Sequence, residues 1–284
     1  MTAAVREIVL VDCPDEVGLI HRITGVLQGR QLNIESNHEF VDAATKHFFF
    51  RAEVAPAAAP VPAAELRAGL AAVLPAAARV RVTREERRPI VVCATREPHC
   101  LGELLLLDAV GELPGRIVAV VANHDDLRGL VERFGVPFHH VPHEGLSREA
   151  HEAALLAAID GYAPEYVVLA RYMRVLSAAA IARYPDRIVN IHHSFLPAFA
   201  GASPYRQAFA RGVKLIGATA HFVTSELDEG PIIEQDVERI THRDTPEDLV
   251  RKGRDIERRV LAAAVRSIVE NRVLLNGRKT VVFR

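Results

Sequence analysis

The chain has 284 residues, 35 of them basic and 36 acidic, for a formal charge of −1. That balance speaks against nucleic acid or an anionic membrane as the main partner, and the absence of any apolar run of about 18 residues excludes a spanning helix. With 49% hydrophobic residues the chain can bury cores in two domains of roughly 100–200 residues each, while the three sparse cysteines (Cys13, Cys93, Cys100) and the lack of a signal-peptide pattern around Arg6 and Glu7 predict a reducing, cytoplasmic setting.

Residues 5–12 alternate and are rich in Val and Ile, which predicts a strand. Asp12-Cys13-Pro14-Asp15-Glu16-Val17-Gly18 is a turn into a helix with Asp15 as its N-cap. The helix carries Leu19, Ile20, Ile23, Val26 and Leu27 at helical spacing and ends at Gly29. Strands are predicted over 32–41 and 46–54, joined by a short turn, followed by an Ala/Pro-rich loop, a helix over 63–74 and a strand over 79–83. The order βαββαβ is that of a ferredoxin-like unit. The charged segment Arg84-Glu85-Glu86-Arg87-Arg88-Pro89 is the boundary, giving domains 1–84 and 90–284 with a linker at 85–89.

From Ile90 the pattern changes to short apolar strands between helices: strands at 90–94, 116–122, 137–141, 166–170 and 187–190, and helices at 100–110, 125–134 (capped by Asn123 or Asp125), 147–159 (capped by Ser147) and 173–182. Such alternation predicts a doubly wound, mainly parallel sheet of Rossmann-like type, so the fold class is α/β throughout. A further apolar strand spans 214–223. Thr245 and Pro246 start a long helix to Asn271, and Asn276-Gly277 reads as the turn of a terminal hairpin.

The chemistry concentrates in two stretches. Asn190 and His192 stand at the carboxyl end of a buried strand, and His221 and Asp228 flank the end of the next. Open α/β sheets place their sites at such strand ends. An amide, an imidazole and a carboxylate brought together there can polarise a carbonyl, hold an oxyanion and manage a proton. The spacing contains no compact metal-ligand pair such as H-x-x-x-H, so no metal is expected. Cys100 beside His99 reads as packing rather than a thiol nucleophile. His140 and His143 read as a strand-to-loop segment. Arg251, Lys252, Arg254, Arg258 and Arg259, interleaved with acids, read as a solvated helix face.

Two resemblances cover the chain. The Asp12-x-Pro14-Asp15-x-x-Gly18 turn with Asn33-Ile34 opening the second strand resembles an ACT domain. That resemblance implies a pairing and regulatory unit, with Asp15, Gly18, Asn33 and Ile34 as the positions that would face an amino-acid effector. The pair Asn190-Ile191-His192-x-Ser194-x-Leu196-Pro197 and His221-Phe222-Val223-Thr224-x-x-Leu227-Asp228-x-Gly230-Pro231 is similar to the formyltetrahydrofolate-dependent transferases and hydrolases. Within that fold the Thr95–Gly102 turn has one Gly and a Pro and is a poor phosphate cradle. Together with the doubled His192-His193, the Ala198–Tyr205 segment and the N-terminal ACT-like unit, it resembles the formyltetrahydrofolate deformylases. Ala200 and Arg206 depart from the pattern, and the role of His193 stays open.

The resemblance implies hydrolysis of 10-formyltetrahydrofolate to formate and tetrahydrofolate, supplying formate and balancing the one-carbon pool for purine synthesis. Asn190, His192 and Asp228 would be the catalytic residues, Asn190 and His192 stabilising the oxyanion and Asp228 handling the proton of the attacking water, with His221 their support. Met173, Arg174, Val175, Leu176, Val223, Thr224 and Gly201 would bind substrate. The folate is then the substrate and no cofactor is expected, in a homo-oligomer (dimer or tetramer) built through ACT pairing. The alternatives are a formyltransferase acting on an amine and a non-catalytic folate or amino-acid sensor.

Overall fold

The structure is a computed structural model and describes residues 6–57, 60–84, 86–197 and 204–284. Contacts divide the chain into two compact units, Met1–Glu86 with Glu270–Asn276 and Val281–Arg284, and Arg87–Val269 with Gly277–Thr280.

The first unit holds β1 (Glu7–Pro14), α1 (Leu19–Gly29), β2 (Leu32–Asp42), β3 (His47–Pro56), α2 (Ala63–Val73) and β4 (Arg79–Arg84). Its four strands pair antiparallel in the order β2-β3-β1-β4, which is the expected ferredoxin-like arrangement. Strand alternation sorts the side chains. Val9, Val11, Phe48, Phe50 and Ala52 pack with Leu19, Ile23 and Leu27 of α1 and Leu66 and Leu70 of α2. Ile8, Leu10 and Phe49 pack instead with Leu274 and Phe283. Sequence assigns these C-terminal residues to the second domain, whereas they cluster with the first. Arg51 is buried and anchors the segment, donating to the carbonyls of Asn271 (3.1 Å) and Glu270 (3.0 Å).

Helix α1 starts differently from expectation. Its N-cap position is Gly18 at φ 88°, with no side-chain cap, so Asp15 is not the cap. A left-handed residue there is what favours glycine. Asp15 and Gly18 are exposed, Asn33 is exposed and Ile34 half-buried against the core.

The second unit is a seven-stranded sheet in the order β11-β10-β9-β8-β5-β6-β7. Strands β5 (Arg88–Ala94), β6 (Gly115–Ala122), β7 (Phe138–His140), β8 (Tyr166–Ala170) and β9 (Ile188–His192) are parallel, while β10 (Leu215–Phe222) pairs antiparallel with both β9 and β11 (Ile232–Arg239). Strand β5 begins at Arg88, so two residues assigned to the linker belong to the sheet. The chain runs β5, β6, β7 in one direction and then crosses to β8 on the other side of β5, which puts the switch point at the carboxyl ends of β5 and β8. Val91, Cys93, Ala119, Val121, Val167 and Leu169 bury one face against Leu155 and Ile159 of α5 (Arg148–Asp160). α8 (Pro246–Val269) lies against β9, β10, β11 and α3 (Pro98–Ala109).

Cap geometry explains where the helices begin. Ser147 accepts from the Ala150 amide and starts α5 as predicted. Thr245 caps α8 through the Asp248 amide, and Asp248 returns a bond from the Thr245 amide. α4 (Arg128–Arg133) is shorter than expected, with Leu127 at its N-cap, so neither Asn123 nor Asp125 caps it. The predicted helix over 173–182 is only α6 (Ala178–Arg183), capped by Ser177, and residues 171–177 form an open loop. β11 was not anticipated. α7 (Pro204–Arg211) precedes β10, and β12 (Val273–Asn276) pairs with β13 (Lys279–Val282) around Gly277 and Arg278, one residue beyond the predicted turn. Among the described residues no helix is long and apolar enough to cross a membrane.

Candidate active site

Beside the switch point, β9 ends on His192 and the antiparallel β10 brings His221 directly opposite Asn190. The next turn returns Asp228 to the same place at φ 57°. That left-handed backbone costs little for Asp and aims its carboxylate back at the strands. The return is tight, because a Cβ on Gly230 would overlap the Phe222 carbonyl oxygen. Only glycine lets the chain pass there.

Four side chains meet. Asp228 Oδ2 is 3.2 Å from His192 Nδ1 and Oδ1 is 3.6 Å from His221 Nε2. The Asn190 amide nitrogen is 3.3 Å from His221 Nε2. His221 Nδ1 is 2.9 Å from the Phe222 carbonyl oxygen, an acceptor only, so Nδ1 carries a proton and the ring's orientation is fixed. His192 and His221 are buried. The hydrogen bond from His192, and after it the nearby His221, hold the Asp228 carboxyl well below the usual carboxylate range, against the opposing pull of burial. The carboxylate is therefore ionised. His192 Nε2 is buried and has no partner among the described residues, an expensive arrangement unless a ligand completes it.

These groups line a cavity of about 540 Å³, a volume suited to a small organic ligand. Leu169, Tyr172, Met173, Val175, Leu176, Ile181, Val223 and Leu227 form its apolar side, joined by Arg174 and Thr224. All the expected substrate-binding positions in the described residues thus lie on the wall. Gly201 and Ala200 fall outside the described residues. Met173 and Val175 are 59% and 57% exposed, large apolar side chains left uncovered on the cavity rim. The Tyr172 hydroxyl is buried without a partner among the described residues.

The polar side contains residues that sequence reasoning missed. Glu257 of α8 is 1% exposed. It accepts from Tyr205 Oη (2.6 Å) and His99 Nε2 (2.8 Å), with Arg171 Nε at 3.3 Å. Burial pushes its carboxyl up, but the His99 hydrogen bond, Arg171 and Tyr205 outweigh this and lower it. The signal was available: Leu249, Gly253, Ile256, Glu257, Val260, Leu261 and Ala264 form one buried stripe of α8, and a lone acid in such a stripe needs partners. Gly253 belongs to the same design, since a Cβ there would run into the Tyr205 ring. Arg254, expected on a solvated face, lines the cavity and pairs with Glu97 at 2.8 Å. Arg206 lines it too.

His99, Cys100 and Glu257 offer metal-type ligand atoms close together, as do His124, His143 and Glu144. In the first group the carboxylate already serves Tyr205, His99 and Arg171. Cys100 is buried and its thiol is pushed well up by burial and by Glu257, consistent with packing. Cys93 is likewise pushed up to about 12 by burial.

Burial, followed by the Arg171 charge, pushes His193 down to about 4. The unfolded ring would titrate near 6.5, so below that pH the unfolded chain binds a proton that the folded ring refuses. Stability is expected to fall as pH drops from about 6.5 towards 4, and His193→Gln should flatten the melting temperature across this window. An unchanged slope would mean that His193 titrates normally.

A family model described as formyl transferase matches residues 88–265, and one described as ACT domain matches residues 8–67. The chain is 50% identical to a formyltetrahydrofolate deformylase of Haemophilus influenzae, over 98% of this chain and 99% of that protein. It is 43% identical to one of Bacillus subtilis, over 96% and 92%. A crystal structure of a formyltetrahydrofolate deformylase from Pseudomonas syringae superposes with a TM-score of 0.95 at 40% identity, covering 100% of this chain and 96% of that one. A glycinamide ribonucleotide transformylase from Symbiobacterium toebii reaches 0.67 at 37% identity, covering 70% of this chain and 95% of its own.

Proposed function

The chain belongs to the formyltetrahydrofolate deformylases and hydrolyses 10-formyltetrahydrofolate to formate and tetrahydrofolate, and from that premise we propose how its residues divide the work. The observation that carries the reading is His192, whose Nδ1 faces an ionised Asp228 while its buried Nε2 has no partner among the described residues of the cavity wall. A ring that donates at both nitrogens is an imidazolium, and Asp228 supplies its counter-charge. Nε2–H and the free hydrogen of the Asn190 amide then meet the formyl oxygen as it gains negative charge. Each such donor is worth about 3–4 kcal/mol of barrier. His221 holds Asp228 and Asn190 in register. The apolar wall from Tyr172 to Leu176, with Val223 and Thr224, takes the ring system of the folate, which is substrate; no further cofactor takes part.

Asp228→Asn is the direct test. Acceptor-free formate release from 10-formyltetrahydrofolate should be strong for wild type and fall about 10²–10⁴-fold in the variant. Near wild-type turnover in the variant would remove Asp228 from the mechanism. Formate without any added amine also separates hydrolysis from transfer.

At the first unit we propose pairing between copies through the open edges of β2 and β4, which present unpaired backbone groups, with an amino-acid effector near Asp15, Gly18, Asn33 and Ile34. Sedimentation of the purified chain would check the pairing, and a monomer at micromolar concentration would refute it.

A further inference from the structure

We propose that His124, His143 and Glu144 form a binding site for a divalent d-block cation, with zinc(II) as the fitting ion. One ligand atom from each of the three lies within 4.8 Å of the other two. The parallel pairing of β6 and β7 makes the site. His124 follows the carboxyl end of β6 and His143 follows that of β7, so adjacent strands deliver two imidazoles that lie far apart in sequence. Both rings are half-buried, while Glu144 is exposed and gives an ion its way in. None of the three is among the described residues that line the catalytic cavity, so the site stands apart from the hydrolytic chemistry.

The ring geometry suits an ion. The His124 and His143 centroids are 5.3 Å apart, with the ring planes at 83°. A zinc ion about 2.0–2.1 Å from one nitrogen of each ring sits roughly 3.2 Å from each centroid, and a tetrahedral angle there sets the centroids roughly 5.2 Å apart. Two imidazoles and a carboxylate are the donor set of a borderline ion such as zinc(II), whereas magnesium and calcium select oxygens. Three protein ligands leave one position for water.

Two rings also meet edge-on without an ion, and the residue behind them separates the cases. Asn123 is 3% exposed, and its Oδ1 is buried with no partner among the described residues. Its Nδ2 is 3.5 Å from His143 Nδ1. A ligating histidine hands its other N–H to an oxygen acceptor behind it. Metal at His143 Nε2 leaves the proton on Nδ1, and a half-turn of the Asn123 amide then gives Oδ1 the donor it lacks. His151 steadies the far side, with its ring edge-on to His143 at 6.1 Å and its Nε2 donating to the Val141 carbonyl at 3.2 Å.

One group opposes the ion. Arg96 Nη2 donates to His124 Nδ1 at 3.2 Å. The Arg96 side chain is 62% exposed and its Nε is already 3.6 Å from Asp126, so it turns to that carboxylate when the ring takes a metal. Removing its charge therefore favours the ion.

Calorimetric titration of the full chain with zinc(II) and with magnesium(II), after chelator treatment, tests the site. Wild type should bind zinc(II) and show no matching magnesium(II) signal. His143→Ala should weaken zinc binding more than about 100-fold, beyond the roughly 10–100-fold that an outer-shell partner is worth. Glu144→Gln should weaken it by less, and Arg96→Gln should tighten it. His143→Gln repeats the comparison if the Ala variant does not fold. Formate release by metal-free His143→Ala should match wild type, because the residue lies outside the cavity. Zinc binding that both His143 variants leave unchanged places the ion on the catalytic histidines or on His99, Cys100 and Glu257, and overturns the proposal. Absence of zinc binding by wild type overturns it equally.

Discussion

His192→Ala should lower kcat for formate release by roughly 10²–10³-fold with KM nearly unchanged, the signature of a contact made mainly in the transition state. The ring is 5% exposed, and its removal leaves Asp228 with only His221 at 3.6 Å. A second effect follows: the Asp228 carboxyl, no longer bonded by His192, should move up towards the ordinary range. A pH–rate profile of the variant should then show an acidic limb displaced upward. A rise in KM with unchanged kcat would place His192 in substrate binding instead.

Glu257→Leu should be the most destabilising single change in the second unit. Removing the carboxylate strands Arg171, His99 and the Tyr205 hydroxyl in a buried site, and breaking a buried charge cluster in this way costs about 3–5 kcal/mol. Urea midpoints at constant slope measure this. Adding Arg171→Met should recover part of the loss, because the residual cost is an unpaired cation rather than missing contacts. A single-variant loss below about 1 kcal/mol would mean that the cluster is solvated, like a surface pair.

Much of this was legible in the sequence because it rests on local periodicity. The alternation of β1 and β3, the apolar runs of β5, β6 and β8, and the caps at Ser147 and Thr245 require only near neighbours. The approach of Asn190, His192, His221 and Asp228 was readable because two adjacent strands deliver the first three and the turn after the second brings Asp228 back. What escaped depended on distant partners. Glu257 makes sense only once Tyr205, His99 and Arg171 stand around it, from three other segments. The stretch 173–177 reads as helix in sequence because Met173, Val175 and Leu176 are apolar, and their apolarity serves the cavity rather than a core. β11 carries Glu234, Asp236 and Glu238 on an edge strand whose apolar face is short, leaving too little alternation to read.

The C-terminal segment has a consequence for biosynthesis. Arg51 of β3 grips the carbonyl of Asn271 across 220 residues of sequence, and the face formed by Ile8, Leu10 and Phe49 is closed by Leu274 and Phe283. On a translating ribosome the N-terminal sheet therefore emerges early with one greasy face bare, and waits through the synthesis of the whole second unit for its lid. That interval invites chaperones or a second nascent chain. Limited proteolysis of arrested chains ending near residue 265 should cut the first unit readily, and chains extended past residue 284 by a linker should resist.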